Sequence, residues 1–308
     1  ADGGYWYSPI YTMSDNQLSG YQCALYESNT MACWGQNGNG VLGDGTTTER
    51  STSVNVTFPV GAGFPVSMAL HTSEYGNYDW GDAQVTCAIM DDGDVYCWGV
   101  DDWVGAGSQV CSIYSQYCDS TGSRLTQPIP KVNYGANPPP ASSISIRHGY
   151  DGIRICSAHE DGSGYCWGMQ SYGELGNGVT GGTYYTPQQV SMPAGTSDIV
   201  NFVVMSRSTC ALTETGEVYC WGYNQNGELG DGTICVYGSF NNNCNGEGTK
   251  PLPYEPVVLP NGSSAQAVSI WADPTAYSSN PSDVCALLIN GRVLCWGYYY
   301  SDNNGTGQ

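Results

Sequence analysis

Fourteen cysteines are the residues in this chain best equipped for chemistry. A thiol can ligate a metal, carry electrons or pair into a cystine, and spacing decides among these. No C-x-x-C occurs, and His71, His148 and His159, the only histidines, stand at no metal-ligand spacing to one another. No metal site is therefore expected. Catalytic frames are missing as well: there is no G-x-S-x-G, no cysteine nucleophile with a neighbouring histidine, and no carboxylate pair singled out from the many present. His159, beside Glu160, reads as a surface residue of a hairpin turn. No catalytic residue is assigned, and the chain is expected not to be an enzyme.

Disulfides in an oxidising compartment are the better reading of so many thiols. Three glycosylation sequons agree, at Asn55, Asn261 and Asn304. No apolar run reaches membrane-spanning length. The chain starts "ADGGYW" without Met, as expected of a protein whose signal peptide has been removed or of a fragment. With 28 acidic against 8 basic residues the formal charge is −20. Such a surface repels phosphate backbones, so no nucleic-acid partner is expected, and no basic run would hold an anionic membrane face. Composition rich in Gly, Ser, Thr, Asn and Tyr belongs to a turn-rich β protein.

The elements that position the cysteines come from a repeat. Five copies of C-(nine residues)-C-W-G occupy 23–35, 87–99, 156–168, 210–222 and 285–297. Six positions after the first Cys stands Asn29, Gly93, Gly162, Gly216 or Gly291, residues that accept positive φ. A three-residue turn closed by that residue sets the two cysteines directly opposite each other in a non-hydrogen-bonded pair, where side chains approach most closely. The expected bridges are Cys23–Cys33, Cys87–Cys97, Cys156–Cys166, Cys210–Cys220 and Cys285–Cys295. Both faces of each hairpin are largely apolar, so each should be buried on two sides. Five such sheets stacked around an axis give an all-β propeller of five blades. Residues 1–308 are expected to form that single domain.

A Gly-rich loop follows Cys-Trp-Gly ("QNGNGVLGDGT", "YNQNGELGDGT"), and then a Pro-bearing apolar strand: "PIPKV" at Pro128, "TPQQV" at Thr186, "EPVVL" at Glu255. The last copy ends before such a strand. "SPIYT" at Ser8 is expected to complete the last repeat's sheet and close the ring, or else to complete a neighbouring molecule's sheet. The Gly-rich loops are faintly similar to calcium loops without meeting their Asp-x-Asn-x-Asp-Gly order. They read as structural turns, with no cofactor expected and calcium the one ion left open. Cys111–Cys118 and Cys235–Cys244 are expected to be local bridges bracing inserted loops, which present a contact surface or serve stability alone.

The run "CALTETGEVYCWGYNQNGELGDGT" resembles the regulator of chromosome condensation repeat family, across all five copies and so about residues 5–308. The resemblance implies four-stranded blades and an N-to-C strand closure. Familiar members have seven blades where five repeats are counted here. The paired cysteines are similar to those of secreted relatives rather than nuclear ones. Nucleotide exchange on a small GTPase is the nuclear activity in that family, and no residue for it is matched here.

Among the 24 tyrosines, Tyr184, Tyr185, Tyr298, Tyr299 and Tyr300 fall in clusters and are interface candidates. The function expected is an extracellular or cell-surface structural module working through protein contacts, as a self-assembling subunit of a filament or matrix. The alternatives are a carbohydrate-binding propeller, with tyrosines stacking on glycans, and an enzyme or enzyme inhibitor.

Overall fold

The computed structural model describes residues 10–13, 20–72, 84–99, 129–148, 152–258, 266–272 and 284–297. Its contacts divide the chain into two compact units, residues 1–135 and 136–308. The first unit holds two antiparallel sheets. One runs β1 (Ile10–Met13), β2 (Tyr21–Tyr26), β3 (Met31–Gly35), β4 (Arg50–Asn55), in that order. The other comprises β5 (Pro65–Thr72), β6 (Gln84–Met90) and β7 (Val95–Gly99), with a bridge from Tyr96 to Lys131 on its outer side.

The second unit holds three sheets. Sheet 3 contains β8 (Ala141–His148), β9 (Ile153–His159), β10 (Gly164–Met169) and β11 (Thr183–Gln189). Sheet 4 contains β12 (Ile199–Val204), β13 (Ser208–Thr213), β14 (Val218–Tyr223) and the short β15 (Thr249–Lys250), with a bridge from Tyr219 to Pro256. Sheet 5 contains β16 (Ala267–Ala272), β17 (Val284–Leu288) and β18 (Val293–Trp296). These five antiparallel sheets are the blades of an all-β propeller, and no helix occurs among the described residues.

Every hairpin has the register that its spacing dictates. Cys23 faces Cys33, Cys87 faces Cys97, Cys156 faces Cys166, Cys210 faces Cys220, and Cys285 faces Cys295. All five pairs are bridged, with Cα separations of 4.0–4.1 Å. That closeness fits a non-hydrogen-bonded antiparallel pair. In the first turn the Asn29 amide donates to the Tyr26 carbonyl at 2.9 Å, and Asn29 has φ 58°. Glycine holds the same place in the other four, with φ 80–83°.

The strand before each hairpin was not legible in the repeat, and it corrects one expectation. Ile10–Met13 does not complete the last sheet. It pairs antiparallel with β2, Ile10 opposite Tyr26 and Met13 opposite Ala24, as the first strand of the first sheet. β5, β8, β12 and β16 fill the same place in the other sheets. The physical reason is locality: pairing across a short connection loses far less chain entropy than pairing across nearly the whole chain. The Pro-bearing segments do supply outer pairings, through Lys131, β11 and Pro256.

Within each unit, sheets pack cystine face against Ala–Trp face. Cys23, Leu25, Met31 and Cys33 of sheet 1 share a core with Ala88, Tyr96 and Trp98 of sheet 2. Cys156, Ala158 and Cys166 of sheet 3 meet Ala211, Tyr219 and Trp221 of sheet 4. Gly164 sits where the other hairpins carry a larger side chain, and a Cβ there would lie 2.4 Å from the Phe202 ring that occupies the space. Cys210, Leu212, Val218 and Cys220 of sheet 4 meet Ala286 and Leu288 of sheet 5, with Trp296 against them. Each large side chain sealed in these joints contributes roughly 1.5–3 kcal/mol.

The Gly-rich loops lock the joints. The Val41 carbonyl accepts from Trp98 Nε1 at 2.8 Å and from Thr86 Oγ1 at 3.1 Å. The Glu174 carbonyl accepts from Trp221 Nε1 and Thr209 Oγ1, both at 2.8 Å. Asn37, Gln170 and Asn224 shape these loops by accepting from the amides of Leu42, Leu175 and Leu229 at 3.0, 3.2 and 3.1 Å. Two residues past each carbonyl, Gly43 and Gly176 adopt φ 65° and 68°, and a Cβ on either would lie under 3 Å from the Trp indole.

Candidate interaction surface

The residues that could act on a partner lie in the loop after sheet 4's hairpin. No charged residue occurs between Asp231 and Glu247 in a chain of net charge −20. Cys235 and Cys244 are bridged there, with Cα atoms 5.5 Å apart. Both cysteines are buried, yet Ile234 is 55%, Val236 63%, Tyr237 78% and Phe240 77% exposed. Large apolar side chains crowded on a solvent-facing loop are unusual on a protein that works alone.

The loop is held from inside. The Cys235 amide donates to the Asn224 carbonyl at 2.8 Å, Gly238 to Gly246 at 2.6 Å, and Cys244 to Asn241 at 3.0 Å. Asn242 and Asn243 take left-handed φ of 54° and 62°, which Asn tolerates. Phe240 lies over Gly246, where a Cβ would come within 2.6 Å of its ring. Asn243 Nδ2 donates to Glu255 Oε1 at 2.9 Å. Glu255 also accepts from Lys250 Nζ at 3.1 Å, and the same buried ammonium reaches Asp231 at 2.5 Å. Strand, ion cluster and cystine thus present the four apolar side chains on a braced base, which lowers the entropy lost when a partner binds.

The carboxylates of the Gly-rich loops serve the turns themselves. Asp44 accepts from the Thr46 amide and hydroxyl at 3.0 and 2.8 Å and pairs with Arg50 at 2.6 Å. Burial would push the Asp44 carboxyl up, but Thr46 and Arg50 outweigh it and hold it below the usual range. Asp231 accepts from Thr233 in the same way and from Lys250. Among the described residues no group of three His, Cys, Asp or Glu side chains is arranged to hold a metal.

Other predicted residues fall as follows. Tyr184 and Tyr185 lie in β11, both half-buried, with Tyr184 packed against the joint of sheets 3 and 4. Asn55 ends β4 with its side chain exposed. Cys111, Cys118, Asn261, Asn304 and Tyr298–Tyr300 lie outside the described residues. His159 is buried rather than at the surface. Its Nδ1 meets the Pro139 carbonyl at 2.7 Å, its Nε2 meets Ser157 Oγ at 3.0 Å, and its ring stands edge-on to Tyr165. Burial depresses its basicity, against the opposing pull of Pro139 and Asp161. Sequence reading missed Arg207, whose guanidinium lies 5.6 Å and 5.4 Å from the ring centres of Tyr172 and Tyr223. No helix among the described residues is long and apolar enough to cross a membrane.

Residues 161–212 and 206–228 match the regulator of chromosome condensation (RCC1) repeat. The E3 ubiquitin-protein ligase HERC2 of Homo sapiens is 32% identical over 156 residues, which are 50% of this chain and 3% of that protein. Human WBSCR16 is similar in structure at a TM-score of 0.62 and 16% identity, over 90% of this chain and 59% of the other. Yeast RCC1 (Prp20), solved bound to Kap60, gives 0.60 and 16% over 91% of this chain and 54% of the other. At such identity the structural likeness shows the fold, and the chain spans little more than half the length of either neighbour.

Proposed function

We propose that this chain, which matches the regulator of chromosome condensation repeat over residues 161–228, is a binding propeller, residues 1–308 forming one domain, that works outside the cell through protein contacts. Its partner is a further copy of itself, as the subunit of a filament or matrix. The observation that carries this reading is the braced loop with exposed Ile234, Val236, Tyr237 and Phe240. Uncharged apolar surface on so acidic a chain is where a contact can form without bringing like charges together. The extracellular location is supported by six cystines among the described residues, a covalent framework at home in oxidising compartments. Asn55, on the exposed end of β4, is available for glycosylation there. The reading is non-enzymatic.

Electron microscopy with sedimentation velocity on the purified chain tests it. Ordered polymers or a concentration-dependent series of oligomers support self-assembly. A single monomeric species up to high concentration, in low and in high salt, overturns it.

A further inference from the structure

Only two lysines occur in this chain, Lys131 and Lys250. The side chain of Lys250 is 1% exposed, and that of its partner Asp231 is 3% exposed. Lys250 Nζ stands 2.5 Å from Asp231 Oδ2 and 3.1 Å from Glu255 Oε2. The other oxygen of that carboxylate, Asp231 Oδ1, accepts from the Thr233 hydroxyl at 2.6 Å and from the Thr233 amide at 3.0 Å. A primary amine, an acyl group, two donors on one acyl oxygen and a second carboxylate therefore meet at one point. An ion pair needs only the first two.

Sheet 1 holds the same cradle without the nucleophile. Gly35 pairs with Arg50 there as Gly222 pairs with Lys250 in sheet 4. Asp44 accepts from the amide and hydroxyl of Thr46 as Asp231 does from Thr233. A guanidinium is no acyl acceptor, and the Arg50 side chain is 33% exposed. Pinning the Gly-rich loop to the next strand is thus achieved in sheet 1 by a partly exposed ion pair. Sheet 4 puts a primary amine in that place and seals it. Buried charges lose their hydration, whereas an amide between the same two side chains has no charge to desolvate.

We propose that Lys250 and Asp231 condense into an amide within the folded chain, with Glu255 relaying a proton. Nζ attacks Cγ of Asp231, the Nζ–Cγ bond forms, and the Cγ–Oδ2 bond breaks with Oδ2 leaving as water. Of the three ammonium protons, one passes directly to Oδ2, one is taken by Glu255 Oε2 and delivered to the same departing oxygen, and one stays on the amide nitrogen. Glu255 ends as it began, and nothing is oxidised or reduced. Contact between the two groups makes the step intramolecular, and the Thr233 donors stabilise the charge that develops on Oδ1. The step is spent once per chain, so it is a modification and not an enzymatic activity. It encloses the Cys235–Cys244 bridge in a second covalent ring and keeps the apolar loop anchored when that cystine is reduced. This inference stands apart from the self-assembly reading.

Peptide mass spectrometry of the full chain tests this, and the parent protein suffices. After denaturation, reduction and alkylation, cleavage at glutamate and aromatic residues frees 248–254 from the segment that carries Asp231 unless an amide joins them. The expected product is the joined pair, lighter than the two peptides together by one water, with fragment ions placing the link between Lys250 and Asp231. Two separate peptides in the parent overturn the proposal and leave an ion cluster only. Loss of water from the Asp231 peptide with 248–254 free overturns it as well, since that marks ring closure of Asp231 onto the Gly232 amide. Lys250→Arg is expected to give the separate peptides, and a joined pair in that variant would exclude Lys250 as the nucleophile. Glu255→Gln is expected to leave most chains unjoined. Complete joining in that variant would remove Glu255 from the step.

Discussion

Arg154 and Glu174 form an ion pair at 3.2 Å with neither side chain exposed to solvent. Arg154 starts sheet 3's hairpin and Glu174 sits in the loop after it. The guanidinium also donates to the carbonyls of Met169 at 3.2 Å, Met205 at 3.0 Å and Ser206. Glu174 Oε2 accepts from the Tyr172 and Ser171 amides at 2.7 and 3.1 Å. The pair therefore ties sheet 3, its loop and the β12–β13 turn of sheet 4 together, and the same Glu174 supplies the carbonyl that receives Trp221.

Removing one partner leaves the other charge buried and uncompensated. Glu174→Gln is expected to cost about 3–5 kcal/mol, read from urea or guanidinium midpoints, against about 0–1 kcal/mol for an exposed pair. A change below 1 kcal/mol would show that the joint does not depend on the charge.

Gly176→Ala places a Cβ 2.8 Å from Trp221 Nε1 and obliges an L-residue to hold φ 68°. Left-handed backbone alone costs roughly 1–2 kcal/mol, and the clash adds to it. Gly181→Ala is the control, because nothing lies near its Cβ although its φ is 75°. Thermal melts should rank Gly176→Ala clearly below Gly181→Ala; equal losses would mean that backbone strain, not the indole contact, sets the effect.

Opening one hairpin cystine by the double change Cys210→Ser, Cys220→Ser removes a short closed loop. Chain entropy predicts a loss of about 2–3 kcal/mol, and the buried site makes the polar replacements add to it. Cys235→Ser with Cys244→Ser opens a loop of nearly the same length at a site that is also buried, so a similar loss of about 2–3 kcal/mol is expected. It should in addition speed proteolysis within 234–244, where the cystine braces an exposed loop. Unchanged melting for either pair would show that its cystine does not restrict the unfolded chain as chain entropy requires.

Acid should weaken the second unit through His159, held below its usual value near 6.5 mainly by burial. The neutral ring is the folded form, so the unfolded chain takes up a proton first as pH falls. The stabilisation is complete above the unfolded value and is lost as pH drops through it toward the folded one. As pH falls below about 6.5, His159→Gln should flatten the pH dependence of the melting temperature. A variant with the parent's slope would place that dependence elsewhere.

Much of this molecule was readable without coordinates, and the reason is local. Cysteine spacing, the left-handed residue at position six and strand alternation act within some thirteen residues, so type and order alone determine each hairpin, its cystine and its two apolar faces. The strand before the hairpin carries no comparable mark. β12 (IVNFVV) and β16 (AVSIWA) share only the valine at their second position, so the part played by Ile10–Met13 emerged only from its pairing. Burial of His159, the Arg154–Glu174 pair and the Arg207 contact join segments that sequence spacing does not relate. The exposed rings of the 234–244 loop are likewise a matter of what packs over what. Composition determined that those residues are apolar and uncharged; only the tertiary structure decided that they are left outside, because burial depends on which surface arrives to cover them.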